Sequence, residues 1–165
     1  MPITILQPDT PDLIVQDEQP GGWHNIIIAL PEEISFSPVI LTNKNSNTVV
    51  YNSSSSDIDI YPVAENIKIS EKSSRNKSGT LYNIKIDVQI DNQSTFIDDH
   101  FLKYHLKKVV VFGIKHFSQQ KIYGSKKFPL LLSYKFVNGD KFEKGSKTMV
   151  TISGKIPQKP VFIND

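Results

Sequence analysis

Cysteine is absent from all 165 residues. That absence removes disulfide frameworks, thiolate metal sites and thiol nucleophiles together, and it suits manufacture in a reducing cytoplasm. Arginine is almost absent: Arg75 stands alone, and every other basic residue except the histidines is lysine. The planar arginine fork is the preferred reader of phosphate and guanine. Its scarcity disfavours sequence-specific DNA reading but leaves loose attraction to a phosphate backbone open. Long apolar runs are also missing. The longest, Ile26 to Leu30 and Val109 to Phe112, fall far short of the roughly 20 residues needed to span a bilayer. Met1 to Asp9 has no basic region and is interrupted by prolines, so it does not read as a secretion signal. No membrane partner is expected.

What is present is charge, unevenly placed. The net charge of +2 conceals an acidic first part and a basic second part. Residues 1–100 carry six basic against fourteen acidic side chains, and residues 101–165 carry thirteen lysines against three acids. Such asymmetry suggests a polar partner, or stacking of unlike faces between copies. A chain of this length suits one domain and can bury a core without covalent staples.

Prolines 2, 8, 11 and 20 keep the first 22 residues out of a helix, and Gly21-Gly22 ends this extended arm like a hinge. Asp12 to Val15 could pair as an edge strand. Residues 23–165 are read as one β-rich domain. Trp23 to Leu30 reads as a buried strand, with three contiguous isoleucines. Short strands are expected at Thr48 to Tyr51, Ile58 to Tyr61 and Asn66 to Ser70. They are separated by polar loops over Asn43 to Asn47, Asn52 to Ser56 and Lys72 to Ser78. Thr80 to Ile90 is the clearest strand: Tyr82, Ile84, Ile86, Val88 and Ile90 alternate with Asn83, Lys85, Asp87 and Gln89. Period two over this length means one buried and one wet face.

One helix is predicted over Ser94 to Lys108, with Asp98 and Asp99 in its first turn and Lys103, Lys107 and Lys108 in its last, as the helix dipole favours. Ile97, Phe101 and Tyr104, with Leu102 and Leu106, form its apolar stripe. Strands follow at Lys108 to Lys115, Gln120 to Tyr123, Leu130 to Val137, Thr148 to Lys155 and Pro160 to Ile163. Asn138-Gly139 marks a turn. The order predicts a mainly β protein: an antiparallel β-sandwich or barrel with one flanking helix, about residues 94–107.

Catalytic constellations are wanting. There is no Gly-x-Ser-x-Gly elbow and no Gly-x-x-x-x-Gly-Lys phosphate loop. His100 and His105 are five apart, so they point about 140° apart on a helix rather than sharing a metal. Asp57 and Asp59 share a strand face, yet carboxylate pairs that cleave glycosides sit on separate elements; a solvated strand face is the simpler reading. Neither an enzyme nor a small-molecule substrate, metal or cofactor is expected. The basic cluster is Lys103, Lys107, Lys108, Lys115, Lys121, Lys126 and Lys127, with Phe117, Tyr123 and Phe128 interleaved. It can be read as a single-stranded nucleic-acid surface, as strand edges guarded against aggregation, or as a contact for an acidic neighbour. Lys103, Lys107, Lys108, Lys121, Lys126, Lys127, Asp57 and Asp59 are the partner-interface candidates.

A set of local patterns carries a resemblance. Tyr82 to Val88 is a Tyr-x-Ile-x-Ile-x-Val strand leading into the predicted helix, where Thr95 followed by Asp98 resembles a capping pair. It is followed by Lys107 to Phe112, Lys121-Ile122-Tyr123-Gly124-Ser125, Phe128 to Tyr134, Thr151-Ile152-Ser153-Gly154 and Pro160 to Ile163. From Leu81 onward the chain resembles small virion proteins of tailed phages and prophages of Bacteroidetes. The resemblance implies a non-catalytic structural component of a phage particle: a ring-forming tail, tail-completion or head–tail connector protein. Its partners are then further copies of itself and neighbouring virion proteins, with non-specific proximity to DNA, and its location is the virion after synthesis in the bacterial host cytoplasm. The alternatives are a β-sandwich module binding carbohydrate or another surface ligand, with Trp23, Tyr51 and Tyr61 as candidate aromatics, and a single-stranded nucleic-acid binder using the basic half.

Overall fold

A computed structural model describes residues 23–51, 58–60, 67–91, 93, 95–115, 120–141 and 145–163. The expected arm (1–22), with its Asp12 to Val15 strand, and the Ser53 to Ser56 loop lie outside these residues. Among the described residues the protein is mainly β: a curled antiparallel sheet forms a half-barrel, with one short helix. In chain order the strands are β1 (Trp23–Ala29), β2 (Ile34–Phe36), β3 (Val50–Tyr51), β4 (Ile58–Ile60), β5 (Ile67–Asn76) and β6 (Gly79–Ile90). Helix α1 (Thr95–Leu102) precedes β7 (Lys108–Lys115), β8 (Gln120–Tyr123), β9 (Leu130–Asn138), β10 (Ser146–Ile156) and β11 (Val161–Ile163).

The large sheet runs β11-β8-β7-β9-β10-β6-β5, with β1 beside β7 and β4 beside β1. It has two halves. β5, β6, β10 and β9 form one, and β4, β1, β7, β8 and β11 the other. They are stitched where Lys108 and Val109 of β7 pair with Leu131 and Leu130 of β9. The halves face each other across a core that takes Ile84, Ile86 and Val88 from β6, Val150 and Ile152 from β10, Leu130 and Leu132 from β9, and Ile26, Ile28, Val109 and Val111 from the opposite half. Each fully buried aliphatic side chain of this kind contributes about 1.5–3 kcal/mol relative to exposure.

The contiguous apolar runs have a simple cause. β1 and β7 are covered on both faces, so alternation disappears. Ala29, Val110 and Phe112 turn away from the main core into a second cluster with Ile34, Leu41, Ile122 and Val161. Segment 31–51, which holds the two-stranded β2–β3 sheet, supplies that outer cover. Thr48 to Tyr51 is not the single strand expected: Ser46–Thr48 is a 3-10 turn and only Val50–Tyr51 is extended.

Two further expectations are corrected. The helix ends at Leu102, not Lys108. Tyr104 and Lys107 instead close i→i+3 turns, and Leu106 adopts φ 58°. The chain there is captured by β9: Leu106 N–H donates to Leu132 O at 2.8 Å, and Leu132 N–H to Lys107 O at 3.1 Å. Tertiary ladder bonds outweigh the weak propensity that favoured a longer helix. Phe101 and Tyr104 are buried as expected, but Leu102 and Leu106 are exposed. The predicted polar loop Lys72 to Ser78 is mostly strand. β5 continues to Asn76 in unbroken register with β6, from Ile67 opposite Val88 to Asn76 opposite Gly79. Beyond Ser70 this hairpin carries no buried side chain, so no hydrophobic alternation marks it.

Candidate functional site

The wet face of β6 is the floor of a groove. The registers set Lys68 of β5 opposite Asp87 of β6, and Asp87 opposite Thr151 of β10. One row along, Gln89 faces Met149, and Met149 faces Lys135 of β9. With Lys85 these residues line a groove of about 410 Å³. Period-two alternation is what brings them together, because every partner of an outward residue on a neighbouring strand is also outward.

Asp87 sits at the centre and is held from two sides. Thr151 Oγ1 donates to its Oδ1 at 3.0 Å, and Lys85 Nζ lies 3.5 Å from its Oδ2. Lys68 and Lys135 take part in no ion pair among the described residues. The groove therefore presents three ammonium groups around a single carboxylate, with the half-buried Met149 as its apolar part.

A second polar cluster closes the gap between the two halves. Glu71 points inward from β5, as Ile67 and Ile69 do. Tyr123 Oη donates to Glu71 Oε1 at 2.8 Å, while Lys121 Nζ donates to both carboxylate oxygens at 2.7 and 2.9 Å. Burial, and then the charge and hydrogen bond of Glu71, push the Tyr123 hydroxyl far above its ordinary range. Lys121 also lies 4.8 Å from the Phe162 ring centroid. β5 and β8 share no backbone ladder, so these side chains form the seam.

The sequence candidates scatter over the fold. Lys121 is engaged in that seam. Lys126 Nζ donates to Ile34 O at 2.7 Å, tying the outer cover to the turn after β8. Lys103 and Lys127 lie over the rings of Tyr104 and Phe128, each 5.5 Å from the centroid. Lys107 gives its carbonyl to β9, and Lys108 opens β7. Asp59 pairs through its backbone with Ile27, its side chain lying outside the described set, as Asp57 does entirely. Tyr123 is fully buried and Phe128 packs on the core, so neither offers a stacking surface for bases. Phe117 and Tyr61, and the side chains of Trp23, Tyr51 and Lys115, lie outside the description.

The quoted motifs have structural explanations. In Tyr123-Gly124-Ser125, Gly124 has φ 82°, and a Cβ there would meet Phe128 O at 3.2 Å. Ser125 N–H donates to Phe128 O and Phe128 N–H to Ser125 Oγ, both at 3.0 Å. This reciprocal turn carries the chain from one half of the sheet to the other. His105 Nδ1 accepts from Tyr134 N–H at 3.4 Å, and its ring packs edge-on against Tyr134. Tyr134 Oη donates to Asp98 at 2.9 Å, docking α1 on β9; burial and Asp98 raise its pKa. Among the described residues no group of three His, Asp or Glu is placed to hold a metal ion, and no helix is long and apolar enough to cross a membrane.

Two of the edge strands, β11 and β5, are treated differently. At β11, Phe162 N–H donates to Asn43 Oδ1 at 2.9 Å and Phe162 O accepts from Ser46 Oγ at 2.5 Å. The neighbouring Leu41 is bound on both backbone groups by the buried Gln158 amide, at 3.0 and 2.9 Å. On β5, among the described residues, β6 pairs on one side and no strand pairs on the other. No protein-family model, curated protein or solved structure matches the chain.

Proposed function

We propose that this protein is a structural assembly unit without catalysis, a ring-forming tail, tail-completion or head–tail connector component of a tailed-phage particle. The observation that supports this reading is the contrast between the edge strands β11 and β5. Side chains occupy the outer edge of β11, as a fold does when it must not extend there. Among the described residues β5 presents ten residues of unpaired edge, with Lys68, Lys72 and Arg75 along it, and continues as a hairpin arm past the core. An exposed edge of that length is a template for strand addition.

Rings require head-to-tail contacts between unlike surfaces. The basic β5 edge against the acid-rich first part of a neighbouring copy supplies the complementarity. In this reading the partners are further copies of the chain and adjoining virion proteins, and the location is the virion.

Light scattering over a concentration series, at low and moderate salt, tests the reading. Discrete multiples of the chain mass, dissociating as salt rises, are expected. The double variant Lys72→Glu, Arg75→Glu reverses the edge charge without touching the core, and it lowers the mass at a given concentration. Deleting residues 1–20 weakens assembly while the monomer stays folded. A strict monomer under all conditions, or an oligomer indifferent to both changes, overturns self-assembly through β5.

A further inference from the structure

We propose that the groove over β6 and β10 binds an acidic glycan, a sugar chain carrying both carboxylates and free hydroxyls. The inference does not rest on the assembly reading, since it concerns the face of the sheet and not its edge.

The ligand chemistry follows from the lining. Lys68, Lys85 and Lys135 surround the groove on three strands. Neighbouring strands are about 4.8 Å apart, so Lys68 on β5 and Lys135 on β9, three strands away, are roughly 14 Å apart across the sheet. That span suits a chain with spaced anionic groups better than a single ion. Lysines here are point charges, without the bidentate fork that selects phosphate. Among the described residues no aromatic ring lines the groove, so bases have no stacking partner there and single-stranded nucleic acid loses its main sequence-tolerant contact.

Asp87 makes the sharper distinction. A carboxylate fixed by Thr151 and Lys85 repels a bare polyanion such as DNA, whose backbone has no donor to offer it. It accepts hydrogen bonds from sugar hydroxyls, and Gln89 beside it can donate and accept. Met149 and the aliphatic lysine stems cover the less polar face of a sugar ring.

The chain contains two methionines, Met1 and Met149, so methyl-labelled methionine gives a sparse spectrum with one reporter in the groove. Three probes are titrated into the full chain: an oligogalacturonate, the matching neutral oligosaccharide, and single-stranded DNA of equal charge. The Met149 methyl signal is expected to shift with oligogalacturonate at concentrations where the other two have little effect. Lys68→Ala and Lys135→Ala each weaken binding roughly two- to five-fold, as expected for one exposed charge pair. Asp87→Asn weakens glycan binding and strengthens DNA binding. All three side chains are at the surface, and unchanged melting temperatures confirm intact folds. DNA binding as tight as the glycan, no response to the glycan, or an Asp87→Asn variant that binds both probes more tightly overturns the proposal.

Discussion

Replacing Glu71 with alanine should open the seam between the two halves of the sheet. The side chain accepts one hydrogen bond from the buried Tyr123 hydroxyl and two from Lys121. A hydrogen bond to a charged group contributes about 1.5–3 kcal/mol. The ion pair adds less, about 0–1 kcal/mol, because a third of the Glu71 side chain is exposed. Loss of both amounts to about 2–4 kcal/mol. For a chain of this size each kcal/mol lowers the melting temperature by about 2–4 °C, so the shift should be readily measured by calorimetry or urea denaturation. A double-mutant cycle identifies the cause. Tyr123→Phe should cost about 1–2 kcal/mol, and Glu71→Ala together with Tyr123→Phe should cost less than the sum of the two. Coupling of about 1–2 kcal/mol is expected for groups in one hydrogen-bonded cluster. Strict additivity, or a Glu71→Ala cost below about 0.5 kcal/mol, would falsify the seam.

The same seam gives a pH signature. Burial and Glu71 raise the folded pKa of Tyr123 above its ordinary value of 10.0, so the folded state keeps a proton that the unfolded chain releases. Stability is therefore fully present below about pH 10 and falls above it, by about 1.4 kcal/mol per pH unit for this tyrosine. Urea titrations on either side of that pH should show a shallower decline for Tyr123→Phe, and equal slopes refute the assignment. Gly154→Ala places a Cβ 2.8 Å from Leu130 Cδ2; Leu130 is fully buried, so overpacking should cost about 1–3 kcal/mol in chemical denaturation, and a neutral result counts against that packing. Gln158→Ala removes both bonds to the Leu41 backbone and should cost about 2–4 kcal/mol, with faster amide exchange at Leu41 as the local readout; unchanged exchange there would contradict the role given to this amide.

How much of this could be read from the sequence depended on whether a residue's reason for being there was local. β6 was legible because its inward isoleucines and outward polar residues alternate without a break. β1 was legible as a buried strand, and β7 as a strand, because burial on both faces leaves a continuous apolar run. The outer half of β5 was hidden, since only its ladder with β6 holds it and a ladder bond leaves no mark on side-chain type. The helix end was misplaced for a similar reason: what stops it is Leu132, a residue of β9. For the groove, Lys85, Asp87 and Gln89 were visible as a wet face. Lys68, Lys135, Met149 and Thr151 join them only through strand register, which no short window contains. The basic cluster shows the converse. Its lysines are close in sequence, yet Lys121 and Lys126 are drawn to Glu71 and Ile34 in different parts of the fold. Gln158 carried no signal, because a polar residue whose partner is a distant backbone looks like any surface glutamine.

β5 gathers the separate parts of the molecule because a strand acts in three directions. Its outward side chains belong to the sheet face, and Lys68 thereby borders the groove. Its inward side chains belong to the interior, and Glu71 thereby reaches the seam with β8. Its backbone edge, unpaired among the described residues, points along the plane of the sheet, towards whatever extends it. Alternation keeps the first two apart by geometry, and neither consumes the backbone groups that the third would use. An inward charge near an open edge also discourages indiscriminate pairing, so Glu71 both fastens the half-barrel and restricts what the edge accepts. Lys68, Glu71 and the Lys72–Arg75 charges can consequently be altered one at a time, and the effects on ligand, stability and assembly distinguish the three roles of a single strand.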